Sequence, residues 1–145
     1  MKLIAWSQNM TPEAATAAGA ILVSKEQLFE QADILTIHLV LSDRTRGLVG
    51  AAQLERMKPT ARLINASRGP IVDEHALISV LKNKQIAGAA IDVFDTEPLP
   101  ASHPFRTLDN VLTTPHIGYV SAGLYKMFYE DTVSNIRQWL DTHSG

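Results

Sequence analysis

The sequence predicts an α/β protein built on a doubly wound, mainly parallel sheet. Short apolar runs alternate with helix-patterned segments along the whole chain, the arrangement that parallel sheets require. Residues able to do chemistry follow the ends of several of those runs, where open α/β sheets bind their ligands. The length of 145 residues sets an expectation of one domain.

Each element has its own local signal. Leu3–Trp6 is a short apolar run and reads as a buried strand. Thr11-Pro12-Glu13 starts a helix, with a Thr cap, Pro in the first turn and an acid beside it, and Gly19 ends it. Ala20–Val23 is a second short strand. Ser24 and Gln27 have the spacing of a capping box and open a helix through Phe29. Ile34–His38 is a clear strand, and the polar stretch from Leu39 to Gly50 is a loop. Ala51–Met57 is a short helix that Pro59 stops. Ala61–Asn65 is a strand, Asp73–Asn83 an amphipathic helix, and Ile86–Val93 a strand in which Gly88 and Ala89 permit close packing. Glu97–Phe105 holds three of the seven prolines and reads as irregular. Val111–Thr114 is the last strand. Ser121–Leu140 is a long helix expected to turn Leu124, Phe128, Val133, Ile136 and Leu140 inward.

Composition narrows the function. Net charge is −2 and there is no Lys/Arg-rich run, so neither nucleic acid nor a membrane surface is expected as a partner. The chain has no cysteine, which removes disulfides, thiol nucleophiles and Cys-ligated metals. No metal site is expected. No segment approaches the ~18 apolar residues of a membrane span, and the N-terminal run is too short for a signal peptide. The expected location is the cytoplasm.

Three segments carry the chemistry. The first is Asn65-Ala66-Ser67-Arg68-Gly69-Pro70-Ile71-Val72-Asp73-Glu74, between a strand and a helix. The planar fork of Arg68 suits a carboxylate with an adjacent carbonyl oxygen better than Lys would. The second is Asp92-Val93-Phe94-Asp95-Thr96-Glu97-Pro98. Asp92 ends an apolar strand and needs a partner, either the amide of a nicotinamide ring or a helix N-terminus. The third is Thr114-Pro115-His116-Ile117-Gly118 after the last strand. Histidine is the side chain most readily poised as an acid near neutral pH, and a carboxylate beside it keeps it protonated. Taken singly, Arg68 reads as a surface charge, Glu97 as a solvated acid and His116 as a structural histidine. Together they put an Arg, an acid and a His beyond the C-terminal ends of strands.

These three segments, in this order and at this spacing, resemble the characteristic motifs of the D-isomer-specific 2-hydroxyacid dehydrogenases. The resemblance covers nearly the whole chain, and the Asn-x-Ser-Arg-Gly-x-x-Val-Asp-Glu run is highly specific. It implies a Rossmann-type domain that binds NAD or NADP and interconverts a 2-oxo acid and a D-2-hydroxy acid. By the same resemblance Arg68 binds and polarises the 2-oxo acid, His116 donates the proton to its carbonyl oxygen, and Glu97 orients His116. Asp92 holds the nicotinamide end. Leu39, Val40, Thr45, Ala66 and Ser67 line the cofactor cleft, and Ser7 lies near the adenosine ribose. The substrate is a small 2-oxo or 2-hydroxy acid. Glu97, where the family's formate dehydrogenases have Gln, argues against formate. A homodimer is the oligomeric state the resemblance implies.

The sequence departs from the family at two places. No G-x-G-x-x-G occurs, since no two of the eight glycines are separated by one residue. The resemblance implies that Met1 stands at the family's second strand, so that residues 1–145 form a partial dinucleotide-binding domain. The central first strand, its helix and nearly all of the substrate domain are then expected to be missing. A non-catalytic remnant, or a module that senses dinucleotide, is the alternative. The second departure is Trp6-Ser7-Gln8-Asn9, which offers neither the acid that selects NAD nor an Arg that marks NADP.

Overall fold

A computed structural model of the chain describes residues 1–143, in two compact units. The first comprises residues 1–115 and the second begins at His116.

The first unit alternates strands and helices as expected. β1 (Ile4–Ala5) leads to α1 (Pro12–Ala17), β2 (Ile21–Leu22) and α2 (Lys25–Gln31). Thr11 caps α1 by accepting the Ala14 N–H at 3.2 Å. The Ser24–Gln27 capping box is reciprocal: Ser24 Oγ accepts the Gln27 N–H at 3.1 Å, and Gln27 Oε1 accepts the Ser24 N–H at 3.0 Å. Two orphan donors at the start of α2 are thereby satisfied. β3 (Ile34–Ile37), α3 (Ala51–Leu54), β4 (Arg62–Asn65), α4 (Glu74–Lys82), β5 (Gly88–Ile91) and β6 (Val111–Thr113) follow.

All strand pairs are parallel, but they form two sheets. β1 pairs with β2, and β3-β4-β5-β6 form a separate four-stranded sheet. The short strands expected at Leu3–Trp6 and Ala20–Val23 form over two residues each. A cavity of about 420 Å³ lies between β1 and β3, lined by Ile4, Ala5, Phe29, Leu35 and Ile37 among others.

The core gathers under the larger sheet. Leu35 and Ile37 of β3, Leu63 of β4 and Ile91 of β5 are buried, together with Leu54 of α3 and Leu77, Val80 and Leu81 of α4. Gly88 lets the backbone before β6 come close: a Cβ there would meet the Asn110 carbonyl oxygen at 2.5 Å. That agrees with the small-residue reading of this strand.

The second unit holds α5 (Ala122–His143). The expectation that its apolar stripe points inward is corrected. α5 has no buried residue, and Phe128, Val133, Ile136 and Leu140 are each about half exposed. An apolar stripe at helical spacing records that a helix can be covered; it does not supply the cover. Among the described residues no helix is long and apolar enough to cross a membrane.

Candidate active site and cofactor cleft

The Arg68 turn is organised from below by one buried side chain. Asn65 ends β4 at 2% exposure. Its Nδ2 donates to the Arg68 carbonyl at 2.9 Å, and its Oδ1 accepts the Ser67 N–H at 3.1 Å. A buried amide with both ends satisfied rigidifies the turn it spans. The Arg68 guanidinium is exposed, with Nη1 donating to the Ser67 carbonyl at 2.6 Å. A 3-10 turn over Gly69–Ile71 follows, and Asp73 then caps α4 by accepting the Ala76 N–H at 3.0 Å.

The loop after β5 crosses this turn in backbone contact. A Cβ on Gly69 would stand 2.2 Å from the Phe94 carbonyl carbon and 2.7 Å from the Asp95 nitrogen. Only glycine permits that approach. Within the loop, Glu97 Oε1 accepts the Phe94 N–H at 2.9 Å. The segments bearing Arg68 and Glu97 are therefore brought together through Gly69 and Phe94.

A carboxylate–histidine pair, which sequence reasoning missed, fastens the same loop. Glu74, at the first position of α4, meets His103 Nε2 at 3.0 Å, with both side chains largely buried. Its other oxygen accepts the Asp95 N–H at 3.4 Å. His103 Nδ1 accepts the Phe105 N–H at 3.2 Å, so Nε2 carries the proton that Glu74 accepts. Burial, and then the neighbouring Glu74 carboxylate, raise the pKa of Asp95 above its ordinary value of 3.8. The available signal was His103-Pro104, a capping residue before a Pro-started turn.

Asp92 is buried at 7% exposure and accepts the Thr114 hydroxyl at 2.5 Å. One partner is thus the Thr114 side chain, just past β6. His116 begins the second unit in the left-handed region, at φ 56°, with Tyr119 edge-on at 6.2 Å between ring centroids. A non-glycine residue held there is uncommon, and such residues cluster at functional sites.

Four of the residues expected to meet the cofactor line one cavity of about 280 Å³. Ser7 stands on the loop after β1, and Leu39, Val40 and Thr45 on the loop after β3. Trp6, Gln8, Asn9, Ser42, Arg44 and Leu48 complete it. Thr45 shapes its loop, with its hydroxyl donating to the Val40 carbonyl and accepting the Ser42 N–H, both at 2.8 Å. The Ser67 hydroxyl donates to the Leu39 carbonyl, tying the Arg68 turn to this loop, while Ala66 is exposed. The hydroxyls, amides and single guanidinium of this lining fit a ribose and a phosphate. Among the described residues there is no cluster of three or more acids or histidines that could hold a metal ion.

Residues 1–118 match the model of the D-isomer specific 2-hydroxyacid dehydrogenase, NAD binding domain. The chain belongs to that family. This dehydrogenase domain is 43% identical over 124 residues to a glyoxylate/hydroxypyruvate reductase B of Enterobacter agglomerans, covering 86% of the chain and 38% of the relative. It superposes on the crystal structure of a phosphoglycerate oxidoreductase from Vibrio cholerae with a TM-score of 0.89 at 35% identity, over 100% of this chain and 46% of that one. A D-isomer specific 2-hydroxyacid dehydrogenase from Xanthobacter autotrophicus, solved in complex with NADPH and MES, matches at 43% identity and a TM-score of 0.62, over 63% of this chain and 30% of that one. The dehydrogenase domain spans between 21% and 38% of the length of the curated relatives it matches.

Proposed function

We propose that this chain is the dinucleotide-handling part of a D-2-hydroxyacid dehydrogenase that reduces a small 2-oxo acid to the D-2-hydroxy acid, and runs the reverse reaction. The observation that carries the reading is the backbone contact at Gly69 and Phe94. It joins an exposed guanidinium to a carboxylate loop, within the residues that match the family.

Arg68 binds the substrate carboxylate through two parallel N–H donors and draws electron density from the adjacent carbonyl. His116 holds a proton for the carbonyl oxygen as it becomes a hydroxyl. Glu97 orients that imidazole. Asp92 holds the nicotinamide end, and Ser7, Leu39, Val40, Thr45, Ala66 and Ser67 border the rest of the dinucleotide. When bound, the nicotinamide supplies the hydride that the protein's own side chains cannot. Glyoxylate and hydroxypyruvate, the substrates named for the Enterobacter reductase, are the first to test. A cytoplasmic homodimer completes the proposal.

The test begins with the unsubstituted chain. NADH and NADPH are titrated by fluorescence, and oxidation of each is followed with glyoxylate, hydroxypyruvate and pyruvate. Turnover that disappears in Arg68→Ala and in His116→Ala supports the reading. Dinucleotide binding without turnover on any 2-oxo acid would replace it with a sensing module.

A further inference from the structure

The cavity between the loops after β1 and β3 has a polarity that bears on which dinucleotide it accepts. One wall is Ser7, Gln8 and Asn9; the other includes Ser42 and Arg44. Arg44 is the only charged residue in the lining, and no carboxylate lines it. Among the described residues Arg44 makes no ion pair. The nearby Lys25 is committed elsewhere: its Nζ donates to the Leu48 carbonyl at 2.9 Å and lies 5.8 Å from the centre of the Trp6 ring.

Folds of this kind that select NAD place an acid after the second strand, where it accepts hydrogen bonds from the ribose hydroxyls and repels a 2′-phosphate. Here that wall is neutral, with Ser7, Gln8 and Asn9 offering hydroxyl and amide donors. The cation comes from a loop some 35 residues further along the chain, brought opposite by the fold. Its guanidinium fork matches phosphate oxygens in pairs.

We infer that Arg44, facing Ser7, Gln8 and Asn9, forms the subsite for the 2′-phosphate of NADP(H), and that the chain prefers the phosphorylated dinucleotide. The inference rests on the dinucleotide-binding reading of this cleft and names its specificity-determining residue. Ser7, Gln8 and Asn9 supply neutral donors to the ribose, while Arg44 supplies the charge that separates the two cofactors.

The test uses the full chain and probes that carry only the adenosine end, adenosine 2′,5′-bisphosphate and adenosine 5′-monophosphate, with binding read by calorimetry and by Trp6 fluorescence. The bisphosphate is expected to bind about tenfold more tightly or better, the effect of one charge-assisted hydrogen bond. In Arg44→Gln that ratio should collapse to within about twofold while monophosphate affinity holds, and Arg44→Lys should retain part of it. High salt should narrow the ratio in the unsubstituted chain. Equal binding of the two probes, or a ratio that survives Arg44→Gln, overturns the preference and leaves the cleft reading intact. Binding of neither probe overturns the cleft reading and the preference with it.

Discussion

Gly69 and Phe94 meet backbone to backbone, at a separation that leaves no room for even one methyl group. This contact fixes the Arg68 turn against the Glu97 loop. Gly69→Ala forces the two apart, and overpacking of this kind costs about 1–3 kcal/mol. Urea denaturation should show that loss. NMR should show the shift confined to the residues around Arg68 and Phe94, with the amides of β1 and β2 unmoved.

Asn65 is the support beneath the same turn, and its two hydrogen bonds cannot be replaced by an apolar side chain. Asn65→Leu keeps the volume but leaves the Ser67 N–H and the Arg68 carbonyl without their partner. The expected cost is about 1–3 kcal/mol for each group left buried and unsatisfied, less where water reaches it. Arg68 should also lose its fixed orientation. The check is a midpoint shift in denaturant, together with a weakened dependence of turnover on Arg68.

The Glu74–His103 pair should show coupling in a double-mutant cycle. Both side chains are largely buried, so each single substitution strands its partner. Glu74→Ala and His103→Asn are each expected to destabilise by about 1–3 kcal/mol, with the double variant less unstable than the sum. His103→Asn preserves an acceptor for the Phe105 N–H, so it separates loss of the pair from loss of the 3-10 cap. Additive effects in thermal melts would remove the pair from the account of loop anchoring.

Asp95 supplies a pH dependence with a definite sign. Burial, and then Glu74, raise its folded pKa above the ordinary 3.8. Asp95 therefore binds its proton more tightly when folded than when unfolded, and its contribution to stability falls as pH rises through that window. Below 3.8 the penalty is absent; above the raised value it is complete. Asp95→Asn should raise the melting temperature near neutral pH, and the gain should vanish on acidification. A gain that grew on acidification would contradict the upward shift of this largely exposed carboxylate, which partial desolvation and Glu74 cause.

His116 separates chemistry from stability. Its φ of 56° suits asparagine better than most residues. His116→Asn should leave the melting temperature nearly unchanged while removing the proposed proton donor. The proposed reaction should slow by about 10²–10⁴-fold. His116→Val should lower both stability and turnover, because a β-branched residue resists that backbone conformation.

Much of this was legible in the sequence because it is local. The Ser24–Gln27 capping box, the Thr11 cap and the alternation of apolar runs are decided by neighbours within a few residues, and they stand where expected. The segments around Arg68 and Glu97 were legible as motifs. What escaped depends on contacts between distant residues. Arg44 reads as an ordinary loop cation until the fold sets it across from Ser7. His103 lies in a stretch that reads as irregular, and its partner Glu74 is 29 residues away. The stripe of α5 has helical periodicity, but sequence spacing does not name its cover.

The two oxygens of Glu74 act on a loop that also carries Glu97. One holds Asp95 and the other holds His103, on either side of Glu97. The loop is thus a short span pinned at both abutments by a single post, and the post stands on the helix that directly continues the Arg68 turn. A displacement of that helix end is transmitted to both abutments at once. The backbones that carry Arg68 and Glu97 are thereby tied to the same helix end.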